Sequence, residues 1–176
     1  MAADPTGDWR VADGVANIRV AQCNGNMWGV VAWEKTPGGR DTNNPDAAKQ
    51  SRPTLGMPIL INMKRTAGAD SWEGQVYNAK DGKTYDSTIT PNDSDHLEIR
   101  GCVLGFLCGG ETWTRVGPPI PSSPANSMAK GTAKPAAPAP KTTGVTAGTI
   151  GKPGQKSANA DPVGDICLLP DIAHAR

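Results

Sequence analysis

Three Asx-Gly pairs, Asp13-Gly14, Asn24-Gly25 and Asp81-Gly82, each stand between strand-like runs. Such pairs are the strongest short-range hairpin signal, because a two-residue type I′ turn needs positive φ at both central positions and Asn, Asp and Gly reach that region at least cost. They predict three hairpins, and strands read around them at 8–12, 15–23, 26–34, 56–64, 71–79, 83–90, 95–102 and 109–116. Leu97 and Ile99 oppose His96, Glu98 and Arg100, while Trp72, Gly74 and Val76 oppose Glu73 and Gln75. One face of each such strand is therefore core and the other wet. An antiparallel meander of eight short strands has two edges to hide, and closure removes both. The expected fold is all-β, an eight-stranded antiparallel barrel.

One connection, Lys35 to Leu55, is long and polar. Asn44 suits the cap of a short helix and Pro45 its first position, so NPDAAKQ is expected to form one short helix inside this loop. A structureless loop of this length in a compact domain is uncommon and is usually functional. Hung over one barrel mouth, it would bring Asp41, Asn44, Asp46 and Arg52 above walls of Trp33, Ile61, Trp72 and Tyr85. Apolar walls with a few placed polar groups are the chemistry of a small-molecule pocket. Trp33, Asp41, Asn44, Arg52, Trp72 and Tyr85 are thus the expected ligand-binding residues, for a small apolar or amphipathic molecule. The competing arrangement pairs Arg52 with Asp41 and plugs the barrel, since eight strands enclose an interior that side chains can fill. The expectation leans to the pocket.

Composition divides the chain near Gly117. Residues 117–165 are rich in Pro, Ala, Gly, Ser, Thr and Lys and hold no aromatic residue, so they cannot bury enough apolar surface to offset ordering and read as a disordered linker. The barrel is accordingly placed at 4–116, and the short apolar tail at 166–176 is expected to dock on something. With Lys+Arg 18 against Asp+Glu 17 and no basic run, nucleic acid is excluded as an expected partner. No apolar run approaches the about 20 residues of a transmembrane helix. The start, MAADP, resembles the edge left by signal-peptide cleavage with an initiator Met added.

The stretch GCVLGFLCGG sets Cys102 and Cys108 on either side of a five-residue loop. Structural zinc needs a second ligand pair that Cys23, Cys167, His96 and His174 do not supply, and a redox motif needs C-x-x-C at a helix start. A Cys102–Cys108 disulfide closing a hairpin remains, which implies an oxidising compartment, periplasmic or secreted.

The first strand carries G-x-W, with Gly7 and Trp9, and the last carries Trp113 and Arg115. In a closed barrel these strands are neighbours, so Arg115 is expected over the Trp9 indole as a closing cation–π contact. That arrangement resembles the lipocalin and calycin signature. TGDWRV, DTNNPDAAKQSRPTLGMPIL, WEGQVYNAKDGKTYDSTI and LEIRGCVLGFLCGGETWTRV, with N-P-D…R-P-x-x-G and Y-x-x-x-D-G-K-x-Y, resemble the bacterial domain of unknown function 2147 over about residues 4–116. The resemblance implies an exported lipocalin-like barrel of no established activity. The resemblance also implies, for many relatives, a second cysteine where this chain has Trp28, so Cys23 lacks its usual neighbour. Cys23 then pairs with Cys167 and lashes the tail to strand two, or Cys167 pairs between molecules or stays reduced.

Catalysis is not expected, nor is a metal or cofactor. Ser94-Asp95-His96 are successive strand-edge residues whose side chains alternate and cannot form a relay. Glu34, Asp41, Glu73 and Glu111 offer carboxylates whose separation the sequence does not fix. The glycines of PGGR and CGGETW lack a strand-loop-helix setting and read as turns and bulges. A second function class is a proteinase inhibitor that inserts an extended Ala2-Ala3-Asp4-Pro5 into an enzyme cleft.

Overall fold

The computed structural model of the chain describes residues 3–103, 107–120, 161 and 163–175. Its strands are β1 (Gly7–Arg10), β2 (Ala16–Cys23), β3 (Asn26–Glu34), β4 (Pro58–Arg65), β5 (Trp72–Asn78), β6 (Lys83–Pro91), β7 (His96–Val103) and β8 (Leu107–Arg115). Each pairs antiparallel with the next, and Trp9↔Arg115 with Arg10↔Thr114 joins β8 back to β1, so eight strands close into a barrel. Every expected strand is present, with ends displaced by only a residue or two.

Two local expectations change. Only Asn24-Gly25 has both central residues at positive φ, 53° and 88°, as a two-residue type I′ turn between Cys23 and Asn26 requires. At Asp13-Gly14 and Asp81-Gly82 the glycine alone is left-handed, because the loops from Arg10 to Ala16 and from Asn78 to Lys83 are longer and the glycine serves as the last step of a wider turn. In the long loop the helix is a single 3-10 turn, Ala47–Lys49, capped by Asp46, whose side chain accepts from the Ala48 N–H. Asn44 does not cap it. Its amide is drawn inward to donate to Asp41, and its oxygen accepts from the Asp46 N–H.

The barrel is packed at one end and open at the other. Trp9, Leu60, Met63, Trp72, Ile89 and Leu97 fill the packed end with almost no exposed surface. Arg115 seals it: its guanidinium lies 4.2 Å from the Trp9 ring centre and donates to the carbonyls of Asp4, Thr6, Ser94 and Gly117. Gly7 must be glycine here, because its φ is +121° and a Cβ would meet an Arg115 nitrogen at 2.5 Å.

The outer wall of β2 and β3 is covered as well. Cys23 bonds Cys167 across 144 positions of sequence, with Cα atoms 5.4 Å apart. The tail folds there into a 3-10 turn, Ile166–Leu168, and one helical turn, α1 (Pro170–Ala173). Ile166 and Ile172, 0% and 2% exposed, pack with Ala21, Trp28 and Val30 into a second apolar cluster. Cys102 and Cys108 form the other disulfide, with Cα atoms 4.0 Å apart. The stretch 117–165 expected as a disordered linker falls mostly outside the described residues.

Candidate functional site

At the open end the β1–β2 and β5–β6 turns and the flanks of the long loop surround a cavity of about 580 Å³. Its apolar lining includes Val11, Ile18, Val31, Ile59, Val76 and Ile99, with Trp113 among the residues below. Ile18, Val31, Ile99 and Trp113 belong also to the packed core, so they make the floor. Among the described residues, the charged ones of the rim are Asp13, Glu34, Lys80 and Glu111. Lys80 Nζ reaches Asp13 Oδ2 at 2.9 Å, an ion pair from one turn to another. The Asp13 hydrogen bond holds the Lys80 ammonium above its ordinary value, and Glu111 adds to the effect.

Beside this cavity the long loop is built shut on itself and pinned to the barrel. Arg40 bridges Pro53, and Thr54 N–H donates to the Gly39 carbonyl. Asp41 is wholly buried. It accepts from the Tyr77 hydroxyl at 2.6 Å, the Asn44 amide at 2.8 Å and Arg52 Nε at 2.9 Å. Burial works to raise the Asp41 carboxyl, but these three donors outweigh it and hold the group below the usual carboxylate range. Burial first and the Asp41 hydrogen bond second push the Tyr77 phenol up to about 12. Asn43 fastens the loop a second time by donating to the carbonyls of Ala79 and Lys80. Gly82 permits that approach, since its φ is +72° and any Cβ would collide with the Asn43 carbonyl.

The expected ligand-binding residues fall into separate places. Tyr85 lines the cavity, with its hydroxyl bonded to Asp81. Asp41, Asn44 and Arg52 come together as the pinning network; Asn44 and Arg52 also border an outer cleft of about 490 Å³ beside Trp28 and Asp171. Trp72 is buried in the packed end. Trp33 faces outward, 41% exposed, with Arg10 over its ring at 5.2 Å. The Asp41–Arg52 pair of the competing arrangement exists, and the cavity stands alongside it. Nothing in the sequence pointed to the lining residues Val11, Met57, Ile59 and Lys80, and Trp113 stood out there only beside Arg115 in the last strand. Val76 was legible, since it shares the inward face of β5 with Trp72 two pleats away.

The other candidates are placed as follows. His96 Nδ1 faces Asp93 on an exposed turn, and the Ser94 carbonyl serves Arg115. Pro5 is buried and the Asp4 and Thr6 carbonyls are taken by Arg115, so the described part of the N-terminal segment lies against the barrel. Ala2 lies outside the described residues.

The family model for an uncharacterized protein conserved in bacteria, DUF2147, matches residues 7–115, which is the barrel from its first strand to its last. The chain belongs to that family. Within DUF2147 terms, the tail that covers β2 and β3 lies beyond the matched region. A similar solved structure is that of protein HP1028 from the human pathogen Helicobacter pylori, described as belonging to the lipocalin family, with a TM-score of 0.59 and 21% identity. The likeness covers 65% of this chain and 84% of that one, and at this identity it establishes that a DUF2147 barrel has a lipocalin-like fold. No curated protein matches this DUF2147 chain in sequence.

Proposed function

We propose that the barrel binds a small apolar or amphipathic molecule in its open mouth. The observation that carries this reading is the cavity of about 580 Å³ with an apolar floor and a polar rim, a volume within the about 300–1,000 Å³ usual for ligand pockets. Tyr85 contributes to its wall, while Asp41, Asn44 and Arg52 act at one remove by fixing the loop whose Thr36, Gly39 and Thr54 complete the rim. Two disulfides favour an oxidising compartment, so the periplasm or the exterior is the proposed location. The described residues contain no helix long and apolar enough to cross a membrane.

Native mass spectrometry of freshly purified protein tests the reading. A bound mass lost on denaturation is expected, and Val76→Trp, which fills the cavity from its wall, should abolish it while the chain still folds. A protein that carries no additional mass and takes up no long-chain probe offered in excess would refute the proposal.

A further inference from the structure

The sign of the rim says which molecules this mouth favours. Resting on the pocket reading above, we propose that the ligand is an amphiphile whose head is cationic, such as an alkylammonium. Among the described residues, the charged side chains that line the cavity are three carboxylates, Asp13, Glu34 and Glu111, against one ammonium, Lys80. Lys80 is already matched by Asp13 at 2.9 Å. Two carboxylates are left to face whatever enters, although the chain as a whole carries a net charge of +1. The local field of the mouth is therefore opposite in sign to that of the molecule.

These two carboxylates are held in place. Glu34 Oε2 accepts from the Thr54 hydroxyl at 2.5 Å, which ties the end of β3 to the far side of the long loop. Glu111 Oε1 accepts from the Trp113 indole N–H at 2.5 Å, and Trp113 is buried in the cavity floor. Both groups are thus fixed where the apolar lining ends and solvent begins, so a chain buried among Val31, Val76 and Ile99 leaves its head between them. A carboxylate head at that level would meet two like charges at the edge of a low-dielectric cavity; an ammonium head would meet two opposite ones. A neutral head gains neither.

Isothermal calorimetry with decylammonium, decanoate and decan-1-ol, each below its aggregation limit and at low salt, separates the terms. Decylammonium is expected to bind about tenfold or more tighter than decanoate, with the alcohol between them. Glu34→Gln and Glu111→Gln keep the hydrogen bonds that orient these side chains and should each narrow the ammonium-to-carboxylate ratio. Lys80→Gln should widen it, because it removes the only cation of the rim among the described residues. Decanoate binding as tightly as decylammonium, with decan-1-ol also bound, would overturn the cationic preference and leave the pocket standing. Failure of all three to bind would overturn the pocket and this inference with it.

Discussion

Asp41 is wholly buried, yet it stays ionised because Tyr77, Asn44 and Arg52 each direct a hydrogen at it. Hydrogen bonds to a charged partner contribute about 1.5–3 kcal/mol each, so Tyr77→Phe is expected to cost about 2 kcal/mol in urea unfolding. A loss within about 0.5 kcal/mol, ordinary for a surface site, would contradict the network. The pH dependence has a definite sign at both ends. Asp41 is held below its unfolded value, so its contribution is present above about pH 4 and is lost as pH falls. Tyr77 is pushed up to about 12, so its contribution is intact below the unfolded value of about 10 and is lost as pH rises through the folded one. Asp41→Asn should flatten the acid limb of a stability-pH curve, and Tyr77→Phe the alkaline limb. At the other end of the barrel, Arg115→Ala removes the contact with Trp9 and four carbonyl partners, and should cost about 2–3 kcal/mol. Arg115→Lys should restore little of it, since an ammonium does not reproduce a planar fork. Asp41, Asn44 and Arg52 were legible because they share one loop. Tyr77 was not, because its meeting with Asp41 depends on how that loop folds back over β5, which no local pattern encodes.

Strand β3 reads NMWGVVAWE, and its stretch Met27 to Trp33 is an apolar run without alternation. A strand with one wet face should alternate, whereas one covered on both faces reads as continuous apolar sequence. The structure supplies the two covers: Met27 and Val31 face the barrel core, while Trp28 and Val30 face the docked tail. The signal for the docking site was thus present in β3, and the segment that fills it was foreseen as an apolar tail that a Cys23–Cys167 bridge would hold beside strand two. Strand limits were legible throughout because turn residues and period-two patterning are local. The turn class at Asp13-Gly14 and Asp81-Gly82 was not, because it depends on loop length, which those dipeptides do not set. Cys23→Ser with Cys167→Ser is expected to cost about 2–5 kcal/mol, as removal of a native disulfide does in small secreted domains. Truncation after Gly117 should keep a cooperative β-type transition at lower denaturant and should expose Trp28 and Val30, which a hydrophobic dye would report. Loss of the cooperative transition would show that the barrel at 4–116 does not fold by itself.

At the level of the whole molecule, a meander in which each strand meets its sequence neighbour needs only one distant pairing, β1 with β8, to become a barrel. That pairing was legible because Trp9 and Arg115 make chemical sense only together. The mouth was legible as a place and less so as a surface, since its floor is assembled from four strands and its charge from two turns, the end of β3 and β8. The tail adds something that strand order does not describe. Thr6 Oγ1 receives the Ile120 N–H at 2.8 Å, so the chain leaves the barrel from an anchored point, and Cys167 fastens it again on the opposite side of the segment 121–160. Both margins of that segment therefore belong to the same body. A protease cut anywhere within 121–160 divides the polypeptide in two, yet of the two disulfides Cys23–Cys167 spans the cut and Cys102–Cys108 does not. On a non-reducing gel the nicked protein should run as one species of unchanged mass, apart from any residues lost at the cut, and a reductant should release a small C-terminal peptide bearing Cys167. The molecule is in this respect a two-chain protein waiting for its first cleavage, and an exchange of that peptide for another carrying a single thiol would place a label on the barrel wall without touching the mouth.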